Sequence, residues 1–169
     1  MEFDMALIRV DNRLVHGQIL EAWVPYTNAS CIIVVNDEVA NNYFQEEIIR
    51  MALPKDIELI TCTVEDFVRI YRPCSNQGKK AIVLFSSIHD AYRAFHLGFR
   101  FRKLNLGNIL NSISEETILC CSTCVYLNYS DLRKIATLAR AEGVQIEIRR
   151  IPKDMPIDIR ELVSECTCL

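Results

Sequence analysis

The chain has 169 residues, half of them apolar, and nineteen basic against twenty-two acidic side chains give it a formal charge of −3. That length suits one domain with a sizeable core and is too short for two comfortable ones. No run of five like charges occurs, which leaves a nucleic-acid or polybasic-membrane function without an electrostatic footprint. The apolar stretches are short and broken by charges, well under the roughly 20 residues that cross a bilayer.

The opening "MEFDMALIRV" lacks the basic region and apolar core of a signal peptide, so a cytoplasmic protein is expected. Strand-like runs and helical periods then alternate. "ALIRV" (6–10) precedes a helical period over 17–26, "CIIVVN" (31–36) one over 39–52, and "IELITC" (57–62) one over 64–72. "AIVLFS" (81–86) is followed by a helix at 88–97, then "KLNLG" (103–107) and "ETILCCSTCVYL" (116–127), a continuous or broken strand. A helix at 129–142, "VQIEIR" (144–149) and a helix at 157–165 complete the chain. Several runs are apolar on both faces, as in strands covered from two sides. The alternation predicts a single-domain α/β fold over 1–169, core about 5–165: a doubly wound, mostly parallel sheet with helices on both faces.

Punctuation agrees. Asn36 or Asp37 is a cap for the second helix, Ser130 and Asp131 stand at the start of another, and Gly143 sits where that helix should stop. "CSNQGKK" (74–80) reads as a solvated turn without the rest of a P-loop, and the tail "ECTCL" as frayed.

His16 falls just beyond the first strand, at the start of the first helix. Ligands of open α/β sheets gather at the carboxyl ends of strands, where helix N-termini offer free N–H groups. Arg13 and Arg9 stand three and seven residues before it, and guanidinium groups bind phosphate through two donors at once. Gly17 leaves room for another protein to approach the ring. A histidine that carries phosphate must be neutral near pH 7, exposed, and flanked by cations. By position alone such a histidine is most simply a cap or surface residue; the surrounding pattern argues otherwise.

"RVDNRLVHGQI" (9–19) resembles the start of the enzyme IIB subunits of the mannose/fructose/sorbose family of the bacterial phosphoenolpyruvate-dependent sugar phosphotransferase system, whose motif is close to R-[IV]-D-x-R-L-[IV]-H-G-Q. The likeness continues through "IIVVNDEVAN" (32–41), is looser through "AIVLFSSIHDAYRAFHLGF", and resumes at "KLNLGN". It implies a phosphocarrier, a protein-Nπ-phosphohistidine–sugar phosphotransferase. His16 would take a phosphoryl group from enzyme IIA and pass it to a sugar held by the membrane IIC/IID permease, with the protein peripheral to the inner membrane when docked. Carried over by position, Arg13 and Asp11 join His16 as catalytic residues, and Arg9, Gly17, Gln18, Ser86 and Ser87 as phosphate-binding ones. Asp11 would orient His16 or Arg13, or cap the loop. Transfer between two histidines needs positioning and charge more than anything else, so neither cofactor nor metal is expected. The pairing of two copies is left open.

Family members commonly carry N-V-G-G-M followed by Gly-Lys. Here Asn108 replaces the second glycine and Gly-Lys is missing, which supports an alternative: a regulatory phosphoacceptor of an incomplete system, with no sugar transported. Histidine phosphatases also use R-H-G after the first strand, but Val15 stands where their arginine should be. Of the eight cysteines, "CSTC" (121–124) has redox-pair spacing yet falls in a predicted strand with no nearby histidine, so core packing is expected. His89 and His96 share a helix face, most simply solvated or packed, and Trp23 and Tyr26 are read as core or partner contacts.

Overall fold

The computed structural model describes residues 2–73, 79–110 and 117–166. β1 (Glu2–Asp11) leads into a helical turn that passes through a π-helical segment, Ile19–Trp23, into α1 (Val24–Thr27). There follow β2 (Cys31–Val35), α2 (Asp37–Ala40), α3 (Tyr43–Ala52), β3 (Glu58–Cys62), α4 (Val64–Ile70) and the two-residue β4 (Arg72–Pro73). β5 (Lys79–Phe85), α5 (Ile88–His96) and β6 (Lys103–Asn108) complete the centre. The remainder is β7 (Thr117–Ser122), β8 (Val125–Asn128), α6 (Tyr129–Ala136) with a π-helical end at Thr137–Ala141, β9 (Gln145–Ile148), β10 (Ile157–Asp158) and α7 (Ile159–Cys166).

The main sheet has the order β10-β9-β6-β1-β5-β2-β3, with β4 paired to the start of β1. All its pairs are parallel except β10 against β9. After β1 the chain moves out to β2 and β3, returns through β5, and then crosses to β6 on the other side. The carboxyl end of β1 therefore lies where the strand order reverses, the usual ligand position of such sheets.

Every residue of β2 is buried, and alternate side chains serve opposite faces. Ile33, Val35, Val83 and Phe85 pack with Phe67 of α4, Phe95 of α5 and Ile135 of α6. Ile32, Val34, Ile82 and Leu84 pack with Ile19, Trp23 and Val39 on the other face. The aromatic rings of Phe67 and Tyr71 meet Phe99 edge-on at centroid distances of 4.7 and 4.8 Å.

The fold is the expected doubly wound one, with local differences. The helix expected over 39–52 is two helices, because Asn36 accepts from the Val39 amide at 2.8 Å and Asn42 from the Gln45 amide at 3.2 Å, each capping its own turn. The run at 116–127 is an antiparallel β7–β8 hairpin outside the main sheet. Ser130 and Asp131 stand in the first turn of α6 as expected, with Asn128 before them as its cap, and Gly143 follows with φ +69°. Cys31, Cys62 and Cys121 are buried and Cys124 is half-buried, all four as free thiols; the side chains of Cys74, Cys120, Cys166 and Cys168 lie outside those described, as do residues 74–78 of the expected turn and 167–169 of the tail. Among the described residues no helix is long and apolar enough to cross a membrane.

Candidate active site

β1 ends at Asp11, and the next residues form a tight loop held from several directions. The Asn12 amide donates to the Asn108 carbonyl at 2.9 Å, and the Leu14 amide closes back onto the Asp11 carbonyl at 2.9 Å. Leu14 adopts φ +55°, a left-handed conformation that costs a non-glycine residue about 1–2 kcal/mol. Its side chain is buried in the core beneath the first helix, and that burial offsets the strain. The His16 carbonyl then accepts from the amides of Ile19 and Leu20 at 2.9 and 3.2 Å, starting the helix.

Asp11 is the hub. Its side chain is fully buried and receives four side-chain hydrogen bonds and one from the backbone. Oδ2 faces His16 Nε2 at 2.9 Å and accepts from Arg9 Nη2 at 2.9 Å and Nε at 3.3 Å. Oδ1 accepts from the Arg13 amide at 3.2 Å and from its Nε at 3.3 Å. Burial alone would raise the pKa of this carboxyl, but the hydrogen bond to His16, the charge of Arg9 and the hydrogen bond from Arg13 outweigh it, so it titrates below its ordinary value. An ionised carboxylate can only accept. His16 Nε2 therefore carries the proton in the neutral ring, and Nδ1 presents its lone pair. The His16 side chain is 16% exposed and that of Arg13 42%, so both are reachable from solvent.

Arg9 departs from expectation. Its side chain is 0% exposed. Besides Asp11, its guanidinium donates to Asn105 Oδ1, to the Arg149 carbonyl at 2.8 Å and to the Arg150 carbonyl at 3.2 Å, and it lies 5.5 Å from the centre of the Trp23 ring. Burial, only partly offset by Asp11, brings its pKa below the usual value. Direct binding of phosphate by Arg9 does not fit this burial; the residue supports Asp11 from below. Gly107 makes the arrangement feasible: a Cβ there would stand 1.8 Å from Arg9 Cζ and Nη2.

The other expected residues fall in distinct places. Gln18 Oε1 accepts from Arg13 Nη2 at 3.1 Å, which steers the guanidinium. Gly17 is exposed, with only Glu21 Oε1 within 4 Å of where a Cβ would lie, so the space is open towards solvent. Ser86 and Ser87 directly follow the neighbouring β5, but both hydroxyls donate to Asp90 Oδ2, at 3.1 and 2.8 Å, and Ser87 caps α5. Ser86 also accepts from Asn36 at 2.7 Å. His89 and His96 are exposed on α5, and the His96 ring lies 4.1 Å from that of Tyr92. Trp23 is buried and its Nε1 donates to the Arg150 carbonyl at 2.9 Å, while Tyr26 is exposed. Sequence reasoning missed Asn105, Gly107 and the two carbonyls of Arg149 and Arg150. "KLNLGN" flagged the first two as motif members without a role, and nothing local flags a backbone carbonyl.

The chain is 37% identical over 159 residues to a probable phosphotransferase enzyme IIB component of Streptococcus pyogenes serotype M6, covering 93% of this chain and 98% of that one. It is 26% identical over 161 residues to the mannose-specific EIIAB component of the PTS system of Escherichia coli K12, covering 95% of this chain; there it spans about half of the relative's length, 49%. The crystal structure of the IIBSor domain of the sorbose permease from Klebsiella pneumoniae superposes with a TM-score of 0.84 at 26% identity, covering 98% of each chain. The family model described as "PTS system sorbose subfamily IIB component" matches residues 5–168, and the chain belongs to that family of phosphotransferase-system IIB components.

Proposed function

We propose that this protein is a phosphocarrier: His16 Nδ1 takes a phosphoryl group from a phosphohistidine of enzyme IIA and passes it to a sugar held by the membrane IIC/IID permease. The observation that carries this reading is the 2.9 Å contact between His16 Nε2 and Asp11. It leaves the other ring nitrogen as nucleophile, with Arg13 exposed beside it.

In the transfer step the Nδ1 lone pair forms a bond to phosphorus while the bond from phosphorus to the donor histidine breaks. Positive charge develops on the His16 ring as that bond forms, and the Asp11 carboxylate at Nε2–H stabilises it. Arg13 meets the charge spread over the equatorial phosphoryl oxygens, aimed by Asp11 and Gln18. Arg9 keeps Asp11 ionised and in place. In onward transfer a sugar hydroxyl oxygen bonds to phosphorus as the phosphorus–Nδ1 bond breaks, the hydroxyl proton is lost to water and His16 returns to its neutral form, with the protein docked at the cytoplasmic face of the permease.

The test is incubation with phosphorylated enzyme IIA followed by mapping of acid-labile phosphate. Label is expected on His16 at Nδ1, absent from His16→Ala protein and retained by His89→Ala and His96→Ala. Persistent label on His16→Ala protein would falsify the proposal. The regulatory alternative draws on Asn108 and the missing Gly-Lys; sugar phosphate formed in the presence of a permease separates the two.

A further inference from the structure

The end of β6 holds an irregularity that the chemistry above does not call for. Against β1 the register runs from Val10↔Leu106 to Asp11↔Asn108, so Gly107 is an extra residue, the signature of a bulge. The Arg9 guanidinium lies against the bulged glycine, and the next residue, Asn108, is directed at the active loop. Its carbonyl accepts from the Asn12 amide at 2.9 Å, and its Nδ2 donates to Asn12 Oδ1. Asn108 is 3% exposed, whereas Asn12 is open to solvent.

The far side of this contact is also anchored. The Ile109 amide donates to the Cys124 carbonyl at 2.7 Å, and the Ile109 carbonyl accepts from the Tyr126 amide at 2.8 Å. The β7–β8 hairpin thus braces the residue that follows Asn108. Asn12 stands between Asp11 and Arg13, two residues before Leu14 and its left-handed backbone. A strained loop keeps one conformation only where its surroundings over-determine it, and a misplacement of about 1 Å at a transfer site lowers the rate steeply. A glycine at 108, as in the N-V-G-G-M pattern, has no side chain with which to reach Asn12.

We infer that Asn108 and Asn12 form a clamp that holds the active loop in its transfer-ready shape, so that both are positioning residues for phosphoryl transfer. The inference rests on the reading of His16 as the phosphoacceptor. Neither side chain touches the reacting atoms; each acts through the backbone that carries Asp11, Arg13 and His16.

The experiment compares Asn12→Ala, Asn108→Ala and the double variant in the full chain. Two measurements are made: native-state hydrogen exchange at the Leu14 amide, and the single-turnover rate of transfer from phosphorylated enzyme IIA at varied donor concentration. Each single variant should speed exchange by about fivefold, the factor worth one net hydrogen bond. Each should also slow the limiting rate by roughly threefold to tenfold, with the half-saturating donor concentration unchanged. The double variant should be no worse than the worse single one, because one contact is lost in all three. Wild-type exchange in Asn12→Ala protein, or effects that add in the double variant, overturns the clamp. A raised half-saturating concentration in Asn12→Ala protein alone also overturns it, making Asn12 a docking residue. Should the buried Asn108→Ala change unfold the protein, the exposed Asn12→Ala variant still decides. Exchange at Leu14 reads the clamp whether or not His16 accepts phosphate, so failure of the phosphocarrier reading and failure of the clamp give different results.

Discussion

Gly107→Ala adds one methyl group beneath the active site, and the structure says what that methyl meets. The new Cβ would lie 1.8 Å from Arg9 Cζ and Nη2 and 2.4 Å from Nε. Carbon atoms rest at about 3.5–4.0 Å, so the overlap is roughly 1.7 Å or more. The tip of an arginine is normally free to swing aside. Here it is enclosed and tied to Asp11, Asn105 and the carbonyls of Arg149 and Arg150. Accommodation requires either a shift of β6 or expulsion of the guanidinium, which leaves Asp11 buried without its main cation. Breaking one side of a buried pair costs about 3–5 kcal/mol, a large share of the roughly 5–15 kcal/mol that holds a domain together. At about 2–4 °C per kcal/mol for a chain of this size, Tm should fall by roughly 6–20 °C. Thermal and urea unfolding followed by circular dichroism would measure it. Gly17→Ala is the control, because its Cβ would meet nothing nearer than Glu21 Oε1 at 3.9 Å. A Gly107→Ala protein that melts within about 1 °C of wild type would refute the account of Arg9 as a pinned support.

Arg13 is exposed and holds its place through Asp11 and Gln18. Arg13→Ala should slow single-turnover transfer from enzyme IIA by about 2–4 kcal/mol of barrier, and Arg13→Lys by less, since it keeps the charge but loses the fork; equal rates in all three proteins would make Arg13 a bystander. The Asp11 carboxyl has a lowered pKa in the folded state, so its contribution to stability is complete above its unfolded value of about 3.9 and is lost as pH falls through the lower folded value. The stability gap between wild type and Asp11→Asn, from urea titrations, should be flat from pH 5 to 7 and shrink below about pH 4; a gap that stays constant to pH 2 would contradict this. Burial pushes the thiols of Cys31 and Cys62 up to about 12. Both should resist iodoacetamide at pH 8 in the native protein and react in urea, as mass mapping of the labelled peptides can establish; native labelling at either would show that their strands open readily.

The parts of this protein that its sequence determined are those written in short-range pattern. Completely apolar strands such as "CIIVV" must be covered on both faces, and their alternation with helical periods leaves few arrangements other than a doubly wound sheet. The loop from Arg9 to Ile19 is likewise contiguous, so the neighbourhood of His16 was legible in eleven letters. Division of labour among those letters was not. Arg9 and Arg13 carry the same group four residues apart, yet the first is sealed beneath the loop and the second opens to solvent. The difference comes from partners 96 and 140 positions away, brought to Arg9 only when β6 and the end of β9 close around β1. Asn36, Asn42 and Asn128 became caps through local hydrogen bonds that several neighbouring residues were equally equipped to make. Gly107 and Asn108 needed the bulge itself. A periodic pattern can say that a strand is buried, but only the packed strands decide which glycine an arginine lies against and which asparagine reaches the loop.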